Sequence, residues 1–128
     1  RRRADDATAA YRRGCDGGDA AACLASGERG AAAGEAEGAE ADYRRGCDLG
    51  SAPACTAFGA ALEARGARWN DAHDAYRRAC EAEDGPGCHA LGVVLEAHDR
   101  FPDAISAYRR GCLAGDAPSC DAAGMPPP

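Results

Sequence analysis

Eight cysteines divide the chain into four similar units. They form four pairs whose members are eight positions apart, and the first cysteines of successive pairs are 32, 33 and 32 residues apart. Self-similarity at such a period is typical of a helical repeat array, in which each unit packs only against its neighbours. A cysteine pair at the same place in every unit predicts one disulfide per unit: Cys15–Cys23, Cys47–Cys55, Cys80–Cys88 and Cys112–Cys120.

A short motif ends at the first cysteine of each pair. It reads Tyr-Arg-Arg, then Gly or Ala, then Cys, and an Ala stands four residues before each Tyr. Residues four apart share one face of a helix, so the motif predicts a helix that ends near the cysteine. We name it helix B. The four B helices are predicted to begin near residues 4, 36, 70 and 102.

A turn and a second helix follow each B helix. Gly followed by Ser or Asp is typical of a helix end and of the N-cap of the next helix. The second cysteine lies in this next helix, helix A, with an Ala two and a Gly four residues later. A glycine inside a helix is costly unless another element packs closely against it. We expect one array over residues 1–124, with 29–38 as its loosest stretch, and a Pro-rich tail at 125–128.

The composition explains why disulfides would be needed. Alanine supplies much of the 45% hydrophobic fraction, which includes only 2 Phe, 1 Trp and 1 Met, so the core buries little area. In the chain-entropy model, a bridge that closes about nine residues contributes roughly 2.5 kcal/mol. Disulfides imply an oxidising compartment, and we expect a periplasmic or secreted protein whose export signal lies outside these residues. Reduced core thiols and a metal site are the alternatives, although the seven-residue gap is not a zinc-knuckle spacing.

The charge and the missing motifs restrict the function. The formal net charge is −6, and an acidic chain argues against nucleic-acid binding. No apolar run approaches the length of a membrane span. The chain has no Lys, so the Ser-x-x-Lys motif of serine β-lactamases is absent, and its three histidines are dispersed. We therefore expect no catalytic site, no metal and no cofactor, and a monomer that binds a protein or a peptide.

The full repeated pattern is Ala-x3-Tyr-Arg-Arg-[Gly/Ala]-Cys-x7-Cys-x-Ala-x-Gly, and it covers nearly the whole chain. It resembles the Sel-one-like repeat family, and within it the cysteine-rich Hcp (helicobacter cysteine-rich) type. Tetratricopeptide repeats share the Gly of helix A and the Ala and Tyr of helix B. The resemblance implies an all-α, right-handed α-solenoid of disulfide-stapled αα-hairpins that binds partners and is exported from a bacterial cell.

Two other functions stay open. Some members of the resembled family have been associated with β-lactam binding or hydrolysis, so a cell-wall or β-lactam-binding protein with weak β-lactamase-like activity is one alternative. A repeat module of a larger signalling protein is the other, since both ends of the chain look cut. The motifs speak against the first alternative, because neither a serine nor a zinc hydrolase signature is present.

The family pattern places the residue after the second cysteine on the concave side of the array. That residue differs in every unit, whereas its neighbours do not. This side therefore either recognises a ligand or is a surface whose residues vary without a functional constraint. Acidic and weakly apolar residues follow on the same side, which would suit a basic or polar peptide. The predicted binding residues are Leu24, Glu28, Thr56, Ala60, Glu63, His89, Val93, Glu96 and Asp121.

Two further features receive structural interpretations. The Arg-Arg pairs could form an anion-binding ladder, but we interpret them as a solvated face with local ion pairs such as Glu40–Arg44 and Asp74–Arg78. Trp69 and the equivalent aromatic residue of the next unit, Phe101, are expected to plug the loops between helices A and B.

Overall fold

The structure is a computed structural model that describes residues 2–128, with side chains described from residue 6 onward. Within residues 2–128 the chain forms eight α-helices in succession and no strand. The odd-numbered helices are the B helices and the even-numbered ones are the A helices. Their bounds are α1 Arg2–Asp16, α2 Ala20–Ala32, α3 Ala36–Asp48, α4 Ala52–Ala64, α5 Trp69–Glu81, α6 Gly85–Ala97, α7 Phe101–Leu113 and α8 Ala117–Ala123.

The helices stack in chain order. Each B helix packs against the A helix that follows it, and each A helix packs against the next B helix. The predicted class, an all-α solenoid of disulfide-stapled αα-hairpins, is confirmed. Successive A helices also contact one another, and they do so more extensively than successive B helices. The A helices therefore line the inner side of the array, and we call their solvent-exposed side the inner face.

The helix starts lie within two residues of the predicted positions. Helix α3 begins at residue 36, whereas α5 and α7 each begin one residue earlier than predicted, and α1 is described from Arg2 rather than from residue 4. Pro102 thus occupies the second position of α7. A missing N–H is harmless there, because the first-turn N–H groups have no acceptor within the helix. Helices α2 and α3 cover the weakly patterned stretch 29–38 except for residues 33–35.

The four B-to-A turns share one construction. A carboxylate or hydroxyl oxygen accepts hydrogen bonds from backbone N–H groups in the first turn of the A helix, which is worth about 1 kcal/mol per cap. In three units a glycine with φ between 92° and 103° precedes the cap, and in the third unit Glu83, with φ 64°, takes its place. The capping residues are Asp19, Ser51, Asp84 and Asp116.

All four cysteine pairs are disulfide-bonded within their own unit. The two Cα atoms of every pair are 4.4 Å apart, at the short end of the range for disulfides. The end of each B helix and the start of each A helix are therefore held almost in backbone contact. The pairs are Cys15–Cys23, Cys47–Cys55, Cys80–Cys88 and Cys112–Cys120.

A pair of small residues lies beside each disulfide, one on each helix. In the second unit a Cβ atom added to Gly46 would lie 2.9 Å from the Cβ of Ala54. In the third unit the two residue types are exchanged, and a Cβ atom on Gly87 would lie 2.6 Å from that of Ala79. The hairpin therefore has room for one methyl group at this crossing and not for two.

A second close contact joins each A helix to the following B helix. A Cβ atom added to Gly27 or Gly59 would lie 2.5 Å from the ring of Tyr43 or Tyr76, respectively, and Gly92 faces Tyr108 in the same way. The three tyrosines are buried. The close packing that the repeated glycine leads us to expect is thus provided by the tyrosine ring of the following B helix.

Substituting this glycine should destabilise the array despite the higher helix propensity of alanine. We expect Gly59→Ala to lower the free energy of unfolding by about 1–2 kcal/mol, because overpacking outweighs the propensity gain. Gly38→Ala is the matched control, since Gly38 is also helical but a Cβ atom there meets nothing within 4 Å. Denaturant unfolding should show Gly38→Ala to be stabilising by about 0.5–1 kcal/mol. Equal effects at the two sites would contradict the packing argument.

The exchange of Gly and Ala between units predicts a compensating double substitution. Gly46→Ala should lower the unfolding free energy by about 1–3 kcal/mol. Adding Ala54→Gly, which recreates the arrangement of the third unit, should recover at least half of that loss. A double-mutant cycle measured by denaturant unfolding then gives a favourable coupling energy of about 0.5–3 kcal/mol. Additive effects would mean that the two residues do not compete for the same space.

Candidate functional site

The nine predicted binding residues lie on A helices, and none of them is buried. Leu24, Thr56 and His89, each directly after the second cysteine of its unit, are half-buried, whereas Asp121 at the same place in α8 is exposed. The other five, on α2, α4 and α6, are also exposed: Glu28, Ala60, Glu63, Val93 and Glu96. The structure thus brings the predicted residues to the inner face, and whether they bind a partner stays a prediction.

Two of the inner-face carboxylates already accept hydrogen bonds from buried tyrosines. The hydroxyl of Tyr76 donates to Glu63, and that of Tyr108 donates to Glu96 over 3.1 Å. Burial raises the pKa of Tyr76, and the hydrogen bond to the Glu63 carboxylate and its charge raise it further. The same causes raise the pKa of Tyr108 to about 12. The inner face therefore carries tyrosine hydroxyls that the sequence pattern did not reveal.

Two other predicted residues contact neighbouring helices. The Thr56 hydroxyl donates to the Asp84 carboxylate over 2.7 Å, and Asp84 also caps α6, so this threonine connects two successive A helices. The His89 ring lies against the Tyr108 ring, with 5.6 Å between the centroids. Both side chains help to hold the array together as well as facing its inner side.

The side chains at other predicted positions make few contacts with the rest of the fold. Within residues 6–128, the side chains of Glu28 and Asp121 form no hydrogen bond or ion pair, and Val93 is 45% exposed. Glu28 raises the pKa of Tyr43 through its charge, after the larger effect of burial. Four of the nine predicted positions are acidic and none is an arginine, so the inner face is locally negative.

The interpretation of the Arg-Arg pairs as carrying local ion pairs was wrong at both quoted examples. Arg78 donates to Asp48 in the preceding B helix, over 3.1 Å, rather than to Asp74. Glu40 accepts from Arg65 at the end of α4, over 2.6 Å, rather than from Arg44. A spacing of four residues finds partners only within one helix, whereas stacked units bring residues 25 and 30 positions apart into contact.

In two units the second arginine of the motif binds the end of the preceding B helix. Arg45 donates to the carbonyl oxygens of Cys15 and Asp16, and Arg78 donates to that of Cys47. The last carbonyls of a helix lack partners within it and carry the negative end of its dipole. These two arginines therefore satisfy helix ends from one unit to the next, and their role is structural.

The two aromatic residues that open α5 and α7 behave differently. Trp69 stacks on His98, the C-cap residue of α6, with 4.2 Å between ring centroids, and it is itself 36% exposed. Phe101 is 50% exposed, and the expectation that it fills a loop was wrong. The physical reason is that α8 has seven residues where α6 has 13, so no helix end lies over Phe101.

A cavity of about 660 Å³ opens between α2, α3 and α4. Its lining is largely alanine, and it includes the inner-face residue Ala60. The Tyr43 ring and the ion-paired side chains of Glu40 and Arg65 complete its walls. This volume lies within the roughly 300–1,000 Å³ typical of ligand pockets.

A partly buried polar pair on α2 and α3 was also not predicted from the sequence. Ser26 stands where the later units have Phe58 and Leu91, and it is buried. Its hydroxyl donates to Asp42 over 2.7 Å, and Asp42 stands where the later units have alanine. The sequence signal that could have revealed this pair is the simultaneous change, in one place of the array, at two positions on adjacent helices.

The described residues offer neither a metal-ligand cluster nor a helix suited to crossing a membrane. Histidine, cysteine and carboxylate side chains form no group of three or more there that could hold a metal ion. None of the helices described over residues 2–128 combines the length and apolar character that crossing a bilayer requires.

Two solved structures have a similar architecture. A Sel1 repeat protein from Oxalobacter formigenes superposes with a TM-score of 0.72 over 93% of this chain, at 22% identity. The chain has the fold of a Sel1 repeat protein. It spans 57% of that protein's length. MamA is similar with a TM-score of 0.62 at 20% identity, over 92% of this chain and 77% of its own.

The resemblance to Sel-one-like repeats is thus confirmed for the fold. The finer assignment to the cysteine-rich Hcp type stays a prediction. No family model matches the sequence, and no curated protein matches it either. At these identities the likeness to the Sel1 repeat protein and to MamA establishes the architecture, and the function has to be argued from the residues.

The buried tyrosines predict a loss of stability at alkaline pH. A raised pKa in the folded state means that the unfolded chain loses its tyrosine protons first. The stabilisation is therefore complete below about pH 10 and is lost as the pH rises towards the folded pKa of Tyr108, about 12. Melting temperatures recorded across this range should fall accordingly.

Ultraviolet absorbance of the tyrosinate ion identifies the groups responsible. Tyr108→Phe should remove one ionisation step at the alkaline end of the titration. Glu96→Gln keeps a hydrogen-bond acceptor but removes the charge, so it should lower the pKa of Tyr108 without returning it to 10, because burial remains. An unchanged titration in Glu96→Gln would contradict the contribution assigned to this carboxylate.

Proposed function

We propose that the chain is a non-catalytic scaffold that binds a protein or a peptide through the inner face. The observation that carries this proposal is the separation between constant and variable positions. The cysteines of every unit are buried, as are the glycine of helix A and the tyrosine of helix B wherever two units pack together, whereas the predicted binding positions, which change from unit to unit, are partly or fully exposed on the A helices. A rigid framework that presents varied side chains is suited to recognition.

The acidic character of the inner face favours a basic or polar peptide. Opposite charges speed association and exclude wrongly charged partners. Glu28 and Asp121 offer carboxylates without hydrogen bonds or ion pairs among the described residues, and exposed Val93 adds an apolar contact between them along the array. The architecture shared with a Sel1 repeat protein and with MamA supports an interaction role at the level of the fold.

The disulfides bear on where this binding takes place. Four disulfides indicate an oxidising environment, because cytosolic thiols are kept reduced. We infer a periplasmic or secreted protein that acts as a monomer. The partner would then be a polypeptide that is itself present in that compartment.

Peptides selected from a displayed library provide the test of the binding face. The selected sequences should be enriched in Arg and Lys. Glu28→Gln, Val93→Ala and Asp121→Asn are the informative variants, because none of these side chains bonds to another helix. At least two of them should weaken the best peptide by about 1 kcal/mol or more, measured by fluorescence polarisation.

Arg44→Ala and Arg77→Ala are the controls on the B helices, and both should bind the peptide as the parent chain does. Circular dichroism must show unchanged melting temperatures for all five variants, so that affinity changes report on contacts. If the arginine variants lose binding and the inner-face variants do not, the peptide binds to the B helices and the proposed binding face is wrong. Failure to select any peptide would count against a peptide-binding function.

A further inference from the structure

The 660 Å³ cavity occupies a position that the next unit fills with its own side chain. Ala36 opens α3 and lines the cavity, whereas Trp69 opens α5. Arg65 and His98 are the C-cap residues of α4 and α6, so they also correspond. In the third unit the indole of Trp69 stacks on His98 with 4.2 Å between centroids. In the second unit the same place has no aromatic ring.

Other changes on α2 and α4 enlarge the same space. Ala60 and Ala61 replace the valines of α6 at the cavity wall, and Ala31 replaces the glutamate that bonds the tyrosine hydroxyl in the two later units. As a result the Tyr43 hydroxyl, unlike those of Tyr76 and Tyr108, forms no hydrogen bond within the described residues. The cavity is therefore apolar with one phenol group in its wall that has no hydrogen-bond partner.

The charges at the rim of the cavity restrict which residue can lie next to a side chain that enters it. Glu40 is paired with Arg65, whereas Glu37 beside it forms no ion pair among the described residues. A basic residue on the entering segment would therefore meet an available carboxylate. Charge complementarity of this kind selects the partner more than it adds affinity.

We propose that this cavity receives a tryptophan side chain of a partner polypeptide, with an adjacent basic residue facing Glu37. The intramolecular contact of Trp69 with the end of α6 is the template for this contact with the end of α4. The inference rests on the proposed function, since it names the chemistry of the partner at the Ala60 end of the inner face. The lining residues that matter most are Ala36, Ala39, Tyr43, Ala57, Ala61 and Arg65.

The test uses two capped dipeptides, acetyl-Trp-Arg-amide and acetyl-Ala-Arg-amide, and methyl NMR spectra of the full chain. The tryptophan probe should shift the resonances of Ala57 and Ala61, and the alanine probe should not. Ala36→Trp should fill the cavity as the third unit does, raise the melting temperature and weaken the probe at least tenfold. Ala41→Trp, an exposed position on the same helix outside the cavity, should bind within twofold of the parent chain.

Trp69→Ala is a second variant that does not depend on the folding of Ala36→Trp. It opens the equivalent space next to His98 and should create a second site for the tryptophan probe. Absence of any shift at Ala57 and Ala61 with millimolar probe, or equal weakening by the two tryptophan variants, overturns the proposal. Reversible dimerisation that Ala36→Trp abolishes also overturns it, because the occupant would then be a second copy.

The two proposals fail separately. If selected peptides bind through Val93 and Asp121 while the cavity takes no tryptophan probe, the cavity assignment is wrong and the scaffold function stands. If library selection yields no peptide and the tryptophan probe shifts no resonance, both are wrong.

Discussion

The 4.4 Å separation of the paired cysteine Cα atoms is the constraint on which the other choices in this structure depend. Helices that approach so closely leave room for at most one methyl group at their crossing, which is why Gly46 faces Ala54 and Ala79 faces Gly87. Small residues bury little apolar area, so the hairpin gains little from the hydrophobic effect. The disulfide that imposes the close approach also compensates for this thin core, because it limits the freedom of the unfolded chain.

The tyrosines of α3, α5 and α7 supply the area that the alanines cannot. Each ring packs against the glycine of the preceding A helix, where no side chain keeps it away. The hydroxyl at its far end then reaches the inner face, where Tyr76 and Tyr108 donate to glutamates. One residue therefore joins two units and also sets the polarity of the surface. Any change in the glycine would be transmitted to the inner face through this ring.

The sequence determined the parts of the fold that repeat and could not determine the contacts between units. Period, cysteine pairing and cap residues follow from local chemistry, and the helices begin within two residues of their predicted positions. The predicted partners of Arg78 and Glu40 were wrong because the actual partners lie 30 and 25 positions away, in parts of the chain that only stacking brings near. The inner-face residues could be placed on the A helices because a family pattern indicated them. The cavity could not be predicted, because it arises from small residues on three helices that come together only in the packed array.

Repetition makes each unit a comparison for the others, and several departures from the pattern lie on two adjacent helices. The Ser26–Asp42 hydrogen bond, the alanine at position 36 and the Tyr43 hydroxyl that makes no hydrogen bond among the described residues all belong to helices α2 and α3. A void that a larger side chain could fill costs stability. A partner side chain at this place, next to Ala60 of the inner face, would offset that cost. The weakly patterned stretch 29–38, which reads as a degraded repeat in the sequence, lies at the mouth of that cavity.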